Sequence, residues 1–535
     1  MLFGPISRLT DEAAYAALCV QSGLLGYVPP RSLPAIALAF KKYGGSGALP
    51  VIAAARYGSR TAIIDERGSL TYRELDERSN ALAHAFRAQG LQPGEGVAIL
   101  ARNHRGFMEA FFAAAKCGAR IILLNTDFAG PQIREVSERE GTHLLVHDDE
   151  YAGFLDGITP MRGRFRCWAD EPGDDTIDAL VSRFPKAAPP APGRESKIVI
   201  LTSGTTGTPK GATRPEPRSL APLGALLSKV PIRAKGVTVL PAPMFHTLGF
   251  AHMLLAVGFG STLVVRRRFD PALVIEDLAT HRASMMVAVP VMLQRLVDLP
   301  GSAFEGRDLS SLKVIFVAGS QLGADLCKRI TAAFGPVVYN LYGSTEVAYA
   351  TVATPTELAR EPGCVGTPVR GAVVRIYDDN GVEVPTGVTG RIFVGNSIQF
   401  EGYTGGGDKE RIDGLMSSGD VGHFDETGLL FIDGRDDDMI VSGGENVFPG
   451  EVEELLAALP DVREVSAIGV PDDRFGQRLR AFVVLQDGAS LSEDDVKQHV
   501  SANLARYKTP RDVVFLDELP RNPTGKVLKR KLAEL

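Results

Sequence analysis

Leu201-Thr202-Ser203-Gly204-Thr205-Thr206-Gly207-Thr208-Pro209-Lys210-Gly211 follows directly on the apolar run Ile198-Val199-Ile200. These eleven residues hold three glycines, five hydroxyl side chains and one lysine. A short apolar strand that runs into such a loop offers backbone N–H groups, hydroxyls and a cation to an anion, which is how proteins cradle phosphates. A Walker A loop needs Gly before its Lys and Ser or Thr after it. Here Pro209 precedes Lys210 and Gly211 follows. The loop therefore reads as a nucleotide-phosphate site outside the P-loop class.

The strand before the loop belongs to a longer rhythm. Apolar runs at 61–64, 97–100, 121–124, 143–146, 237–240, 262–265, 285–289 and 314–317 alternate with helical patterns, such as 72–89 with Leu75, Leu82 and Phe86 on one face. Strands that alternate with helices imply mainly parallel sheets covered on both faces. Residues 187–193 read as a Pro/Ala connector into the loop. Residues 365–432, rich in Gly, Val and turns such as Asp379-Asn380-Gly381, read as a small β-rich subdomain. After Gly434-Arg435 a last segment has a helix pattern at 451–459 and strands at 465–470 and 481–485, enough for a small α+β domain.

At 535 residues the chain exceeds one core, and its 44% hydrophobic and 23% charged residues suit a globular protein. A net charge of −6 gives no electrostatic case for a nucleic-acid partner. The five cysteines are scattered with no C-x-x-C pair, so neither a disulfide framework nor a zinc site is indicated and a cytoplasmic setting is expected. The first 49 residues form an N-terminal extension. Two apolar stretches, 15–27 and 33–43, flank Pro29-Pro30, and the second ends in Lys41-Lys42-Tyr43. They read either as helices packed on the body or as a peripheral membrane contact.

Further motifs follow in order. Pro243-Met244-Phe245-His246-Thr247-Leu248-Gly249 places one histidine in an apolar segment. Leu341-Tyr342-Gly343-Ser344-Thr345-Glu346 combines an aromatic ring, hydroxyls and a carboxylate able to stack on a base, bond phosphate and hold Mg²⁺. It also reads as a strand-to-helix turn with a hydroxyl cap. Ser418-Gly419-Asp420 offers a carboxylate for two ribose hydroxyls, Arg435 a guanidinium, and Lys526 a cation near the C-terminus.

Taken together, the phosphate loop, these motifs and Ile440-Val441-Ser442-Gly443-Gly444-Glu445-Asn446-Val447-Phe448-Pro449 make the chain resemble the adenylate-forming superfamily of acyl-CoA synthetases, peptide-synthetase adenylation domains and beetle luciferases. The resemblance runs from about residue 50 to the end. It implies a large N-terminal domain (50–436) of two α/β sheets plus a small β-rich subdomain, and a small mobile α+β C-terminal domain (437–535) hinged at Asp437. It implies fatty acyl-CoA synthetase chemistry: a carboxylic acid, ATP, Mg²⁺ and coenzyme A, joined through acyl-AMP.

By this resemblance Thr202, Ser203, Gly204, Thr205, Thr206, Gly207 and Lys210 hold the β- and γ-phosphates, and Glu346 with Thr202 holds Mg²⁺. Tyr342 and Gly343 flank adenine, Thr345 meets the α-phosphate, and Asp420 with Arg435 takes the ribose. His246 lies beside the carboxylate. Lys526 bridges carboxylate and α-phosphate, and Gly443-Gly444 lie on the pantetheine path. Gly319 borders the nucleotide and, with Leu248, Phe250 and Val289, the acyl pocket. The chain departs from the family's usual pattern at Gly390-Arg391 and Ser417-Ser418-Gly419-Asp420. No Asp stands near His246 to pair with an ammonium, so amino acids are disfavoured. By the resemblance, relatives that load a carrier protein tend to carry an insertion after the Tyr342–Glu346 motif; the 74 positions (420 − 346) between Glu346 and Asp420 are compact, which favours CoA. A medium- or long-chain fatty acid is expected, with an aryl acid or a carrier-protein acceptor as alternatives.

Overall fold

The computed structural model describes residues 5–26, 28, 30–202, 210–213, 219–344, 346–398, 409–436, 440–442, 445–447, 449–472, 476–504, 508–522 and 525–535. The side chains of 5–9, 31, 202, 210–213, 441–442, 445–446 and 476 are not described. The mixed α/β architecture expected from the alternating runs is present.

Two large sheets share one core. The nine-stranded sheet has the order Thr367–Pro368, Thr351–Ala353, Val338–Tyr342, Val314–Val317, Met285–Ala288, Val237–Val239, Thr262–Val264, Thr61–Asp65, Gly68–Thr71. Its centre is parallel and its edges antiparallel. Buried on both faces, the central strands are apolar throughout, as Val314–Val317 shows. The six-stranded sheet runs Arg164–Trp168, Thr142–Asp148, Gly96–Leu100, Arg120–Leu123, Lys197–Thr202, Lys210–Thr213. Helices Tyr72–Ala88 and Arg105–Lys116 pack between the sheets, their Phe86, Phe107, Phe111 and Phe112 fully buried. The first starts on a capping box in which Thr71 Oγ1 accepts the Glu74 N–H and Glu74 accepts the Thr71 N–H.

Polar networks lock these layers. Trp168, the chain's one tryptophan, has the Arg67 guanidinium over its ring at 4.0 Å and Arg267 at 4.7 Å. Glu150 accepts from Arg102, Arg267 and Arg268, tying the six-stranded sheet to the loop after Thr262–Val264. Lys116 is wholly buried, and its ammonium donates to Asp76, Ser79 and Asn80.

The β-rich region is a five-stranded antiparallel sheet: Val373–Tyr377, Gly390–Gly395, Leu415–Phe424 and Arg411–Ile412, with Leu430–Arg435 on Leu415–Phe424. The C-terminal sheet orders Glu445–Val447, Ile440–Ser442, Gly476–Leu485 and Val462–Asp472, with Asp512–Phe515 parallel to Gly476–Leu485. The helix expected at 451–459 spans Pro449–Ala457.

The extension is helical: Pro5–Gln21, then Leu33–Tyr57. The second helix runs past the expected end at Tyr43, kinking at Gly44 (φ 66°) and passing through Pro50. Tyr15 wedges between Gly224 and Gly371 and donates to the Arg370 carbonyl, which seats the first helix. Among the described residues, no helix is long and apolar enough to cross a membrane.

Candidate active site

The quoted loop joins two paired strands. Lys197–Thr202 and Lys210–Thr213 are antiparallel, with Thr202 opposite Lys210 in register. A hairpin, not a strand-to-helix turn, therefore brings both ends of the hydroxyl-rich segment together. Ser203, Gly204, Thr205, Thr206 and Gly207 lie outside the described residues, as do Thr345, Asp437, Gly443 and Gly444.

The Tyr342–Glu346 motif leaves the strand Val338–Tyr342, and the chain turns back into Thr351–Ala353, so among the described residues no helix follows the strand here. Ser344 Oγ accepts the N–H groups of Glu346 and Val347 and donates to Glu346 Oε2 at 2.9 Å, fixing the carboxylate at the bend. A hard, half-buried carboxylate of this kind fits Mg²⁺ that keeps several waters. Gly343 has a packing reason of its own: a Cβ there would lie 2.2 Å from the Ala348 carbonyl oxygen.

Asp420 sits where three elements meet. Its Oδ2 accepts the Tyr342 hydroxyl at 2.7 Å, and its Oδ1 accepts Arg435 Nη1 at 3.1 Å. Asp420 and Arg435 are register partners on adjacent strands, which places the guanidinium beside the carboxylate. Ser418 Oγ accepts the Asp420 N–H and the Tyr342 hydroxyl lies 3.0 Å from it. Burial pushes the Asp420 carboxyl up from its ordinary value, opposed by Arg435 and by the donors Tyr342 and Ser418. Burial, then Asp420's charge, drives the Tyr342 phenol well above its usual range. Sequence reading separated these groups into an adenine flank and a ribose acceptor; the structure joins them.

His246 is the N-cap residue of helix Thr247–Phe259, extended at φ −99°, ψ 154°. Asn103 sets the preceding segment by donating to the Leu240 and Ala242 carbonyls and accepting the Met244 N–H. Gly249 lets the helix start press on that segment, since a Cβ there would meet the Pro243 oxygen at 2.2 Å. The His246 ring lies against Phe245, its Nε2 is shut off from solvent without a protein partner, and burial lowers its pKa to about 4. It is a neutral imidazole with an open position, and the same holds for His252, missed from sequence. Burial takes His252 to about 4, its ring packs on Phe316 and its Nδ1 lies 2.8 Å from the Leu248 carbonyl. Gly319 takes φ +100°, and a Cβ there would touch Val289 Cγ1 at 3.5 Å.

Lys526 follows a tight turn. Gly525 N–H donates to Asn522 O, Asn522 N–H to Lys526 O, and Lys526 N–H to Asn522 Oδ1. Gly525, buried at φ +78°, lies so close to the large domain that a Cβ on it would be 1.9 Å from Val291 Cγ1 and 3.8 Å from Val289 Cγ2. The turn carrying Lys526 is thus seated on the segment that Gly319 also touches. In the β-rich sheet, Arg391 bonds Asp436 at 3.1 Å and also pairs with Glu410, so its departure from the family pattern has a structural use.

One buried cluster resembles a metal site without being one. His104, Asp148 and Cys167 hold ligand atoms within 4.8 Å of one another. His104 Nδ1 accepts the Gly106 N–H, so the proton sits on Nε2 and is donated to Asp148 at 2.7 Å; Cys167 donates to the same carboxylate oxygen. Both imidazole nitrogens are committed to capping helix Arg105–Lys116 and holding Asp148. Burial and Asp148 push the Cys167 thiol well up, away from thiolate chemistry. All five cysteines are free and buried.

Residues 52–404 match the AMP-binding enzyme family, and residues 451–526 match the AMP-binding enzyme C-terminal domain. A long-chain-fatty-acid–CoA ligase of Mycobacterium tuberculosis is 31% identical over 478 residues, covering 87% of this chain and 93% of that one. Feruloyl-CoA synthase of an Amycolatopsis species is 32% identical over 496 residues, covering 91% and 98%. The solved structure of ATP-bound MatB from Rhodopseudomonas palustris is 28% identical with a TM-score of 0.80, covering 91% and 98%. The chain belongs to the AMP-binding enzyme family and is a ligase that activates a carboxylic acid through its acyl-AMP.

Proposed function

We propose that the enzyme joins a medium- or long-chain fatty acid to coenzyme A in two half-reactions. A carboxylate oxygen attacks the ATP α-phosphorus, the bond to the β-phosphate bridging oxygen breaks, and pyrophosphate leaves. The CoA thiol then gives up its proton to solvent and attacks the acyl carbon, and AMP leaves. In this reading residues 202–210 clamp the departing pyrophosphate, and Glu346 with Thr202 supplies hard oxygens to Mg²⁺. Thr345 meets the α-phosphate, Tyr342 and Gly343 border the adenine, and Asp420 with Arg435 takes the ribose. His246 offers its neutral Nε2 beside the carboxylate, and Lys526 neutralises charge as it builds between carboxylate and α-phosphate.

The observation that carries this reading is the seating of Gly525 on Val291. It sets the turn of Lys526 against the segment bearing Val289, which this reading gives to the acyl pocket. The small domain, bounded at 437 and hinged at Asp437, then swings so that Gly443-Gly444 meet the pantetheine arm, whose thin chain passes closest where no Cβ stands. An apolar acid is supported by buried Phe250, Val289 and Met292, and by the fatty-acid ligase among the relatives. An aryl acid is the second reading, favoured by the feruloyl-CoA and indoleacetate–CoA ligases at 32% identity.

The test is CoA-dependent AMP formation across straight-chain acids of graded length and a set of aryl acids. A maximum at medium or long chains supports the proposal. A preference for aryl acids overturns the substrate, and pyrophosphate release without transfer to CoA overturns the acceptor.

A further inference from the structure

Helix Leu33–Tyr57 is apolar around most of its circumference in its first turns. Ala39 and Tyr43 are buried on one side, and the Tyr43 hydroxyl donates to the Pro189 carbonyl, which fastens the helix to the body. Around the rest of its circumference Leu33, Leu38 and Phe40 are 53%, 50% and 53% exposed, Leu33 and Phe40 on one flank and Leu38 on the other, with Pro34, Ala35 and Ala37 exposed between them. Among the described residues twelve large hydrophobic side chains are exposed, and five (Val20, Leu25, Leu33, Leu38, Phe40) fall between positions 20 and 40. An amphipathic helix normally turns polar residues to solvent, so this concentration marks a surface with a partner. The family match begins at residue 52, so the surface lies outside it.

Charge selects the partner. From Ala13 to Ile64 there is no Asp or Glu, while Arg31, Lys41, Lys42, Arg56 and Arg60 are basic, in a chain of net charge −6. Arg56 lies over the Tyr57 ring and Arg60 donates to the Lys235 and Gly260 carbonyls, so these two are spent inside the fold. Lys41 and Lys42 follow Phe40 directly in the same helix. The acids that the structure places near this helix, Glu195 at the Gly44 kink and Asp76 facing Tyr43, lie beyond Lys42 on its body-facing part. Apolar side chains beside lysines fit the boundary between acyl chains and anionic headgroups. A second copy of the chain would instead set one basic patch against another.

We propose that the exposed first turns of this helix, residues 33–42, dock the enzyme on an anionic lipid surface, with Leu33 and Phe40 on one flank and Leu38 on the other entering the headgroup boundary and Lys41 and Lys42 meeting lipid phosphates. The inference does not depend on which acid is activated. It is tested by co-sedimenting the full-length protein with phosphatidylcholine vesicles with and without phosphatidylglycerol, at low and high salt. Binding should require the anionic lipid and weaken with salt. Lys41→Gln with Lys42→Gln should cost about fivefold in partitioning per lysine, and Leu38→Asp with Phe40→Asp should abolish binding. All variants should keep wild-type pyrophosphate release with a water-soluble acid. Absence of binding to anionic vesicles, or binding that ignores both pairs of substitutions, overturns the proposal. So does a dimer in sedimentation velocity that Leu38→Asp with Phe40→Asp dissociates, which assigns the face to a second copy.

Discussion

Tyr342 and Asp420, 78 positions apart, are joined by a hydrogen bond of 2.7 Å in which the phenol donates to the carboxylate. The bond spans the nine-stranded sheet and the β-rich sheet, so it fixes the relative placement of the residues assigned to adenine and ribose. It also stabilises an ionised carboxylate that burial disfavours. Tyr342→Phe removes a donor to a charged group, and about a tenfold rise in the KM for ATP is expected. The sign of the pH effect follows. Without the phenol the Asp420 carboxyl is raised further, so a higher pH is needed to ionise it, and the acid-side rise in ATP KM moves to higher pH. Steady-state kinetics as a function of pH checks both. An unchanged acid limb would remove Asp420 from the ribose.

Gly525 and Val291 supply the second prediction. Gly525→Ala adds a Cβ 1.9 Å from Val291 Cγ1 at a φ of +78°, where L residues are strained by about 1 kcal/mol. The turn must lift off the large domain, so acyl-AMP formation should fall by roughly tenfold or more, in line with the cost of small misplacements at a reacting centre. Transfer from supplied acyl-AMP to CoA should stay near wild type. Val291→Ala in the same chain removes the clashing methyls and should restore part of the adenylation rate. Equal loss in both half-reactions, without rescue, would mean that this contact serves folding alone.

Much of this architecture was legible because buried parallel strands must be apolar throughout: Val97–Leu100 and Val314–Val317 are found where their hydrophobicity put them. What escaped reading depends on groups distant in sequence. Nothing local to Tyr342 announces Asp420, and nothing local to His104 announces Asp148 and Cys167. Gly343 looked like a ligand-facing glycine, yet the Ala348 carbonyl alone forbids a side chain there. The apolar stretch read as ending at Tyr43 continues to Tyr57, because burial of Tyr43, Ala48 and Ala53 against the body carries the helix past the kink at Gly44 and through Pro50. The order of motifs identified the reaction better than any single residue did, because each motif alone has an ordinary structural use.

Lys526→Ala should slow adenylation by ~10²–10³-fold, the cost of one lost donor to developing negative charge. Its amide and carbonyl already satisfy the turn with Asn522, so truncating the side chain leaves the turn's backbone bonds in place. Thiolysis of supplied acyl-AMP should continue, and the melting temperature should hold. Single-turnover measurement of each half-reaction separates these outcomes. A matching drop in thiolysis would count against a role confined to the first step.

His246 and His252 together predict how the enzyme responds to acid. Burial lowers both from 6.5 to about 4. Between those values the unfolded chain binds protons that the folded chain does not, so stability rises with pH across that window and is lost as pH falls through it. Each histidine contributes a slope of up to ~1.4 kcal/mol per pH unit there. Thermal unfolding followed from pH 7 to pH 4.5 should show a falling melting temperature. His252→Leu removes one titrating ring from among Phe316 and its neighbours and should flatten the decline, even if packing lowers the plateau at pH 7. A decline as steep as wild type in His252→Leu would show that His252 is protonated in the folded state, and would return its Nε2 to the ordinary population of satisfied histidines.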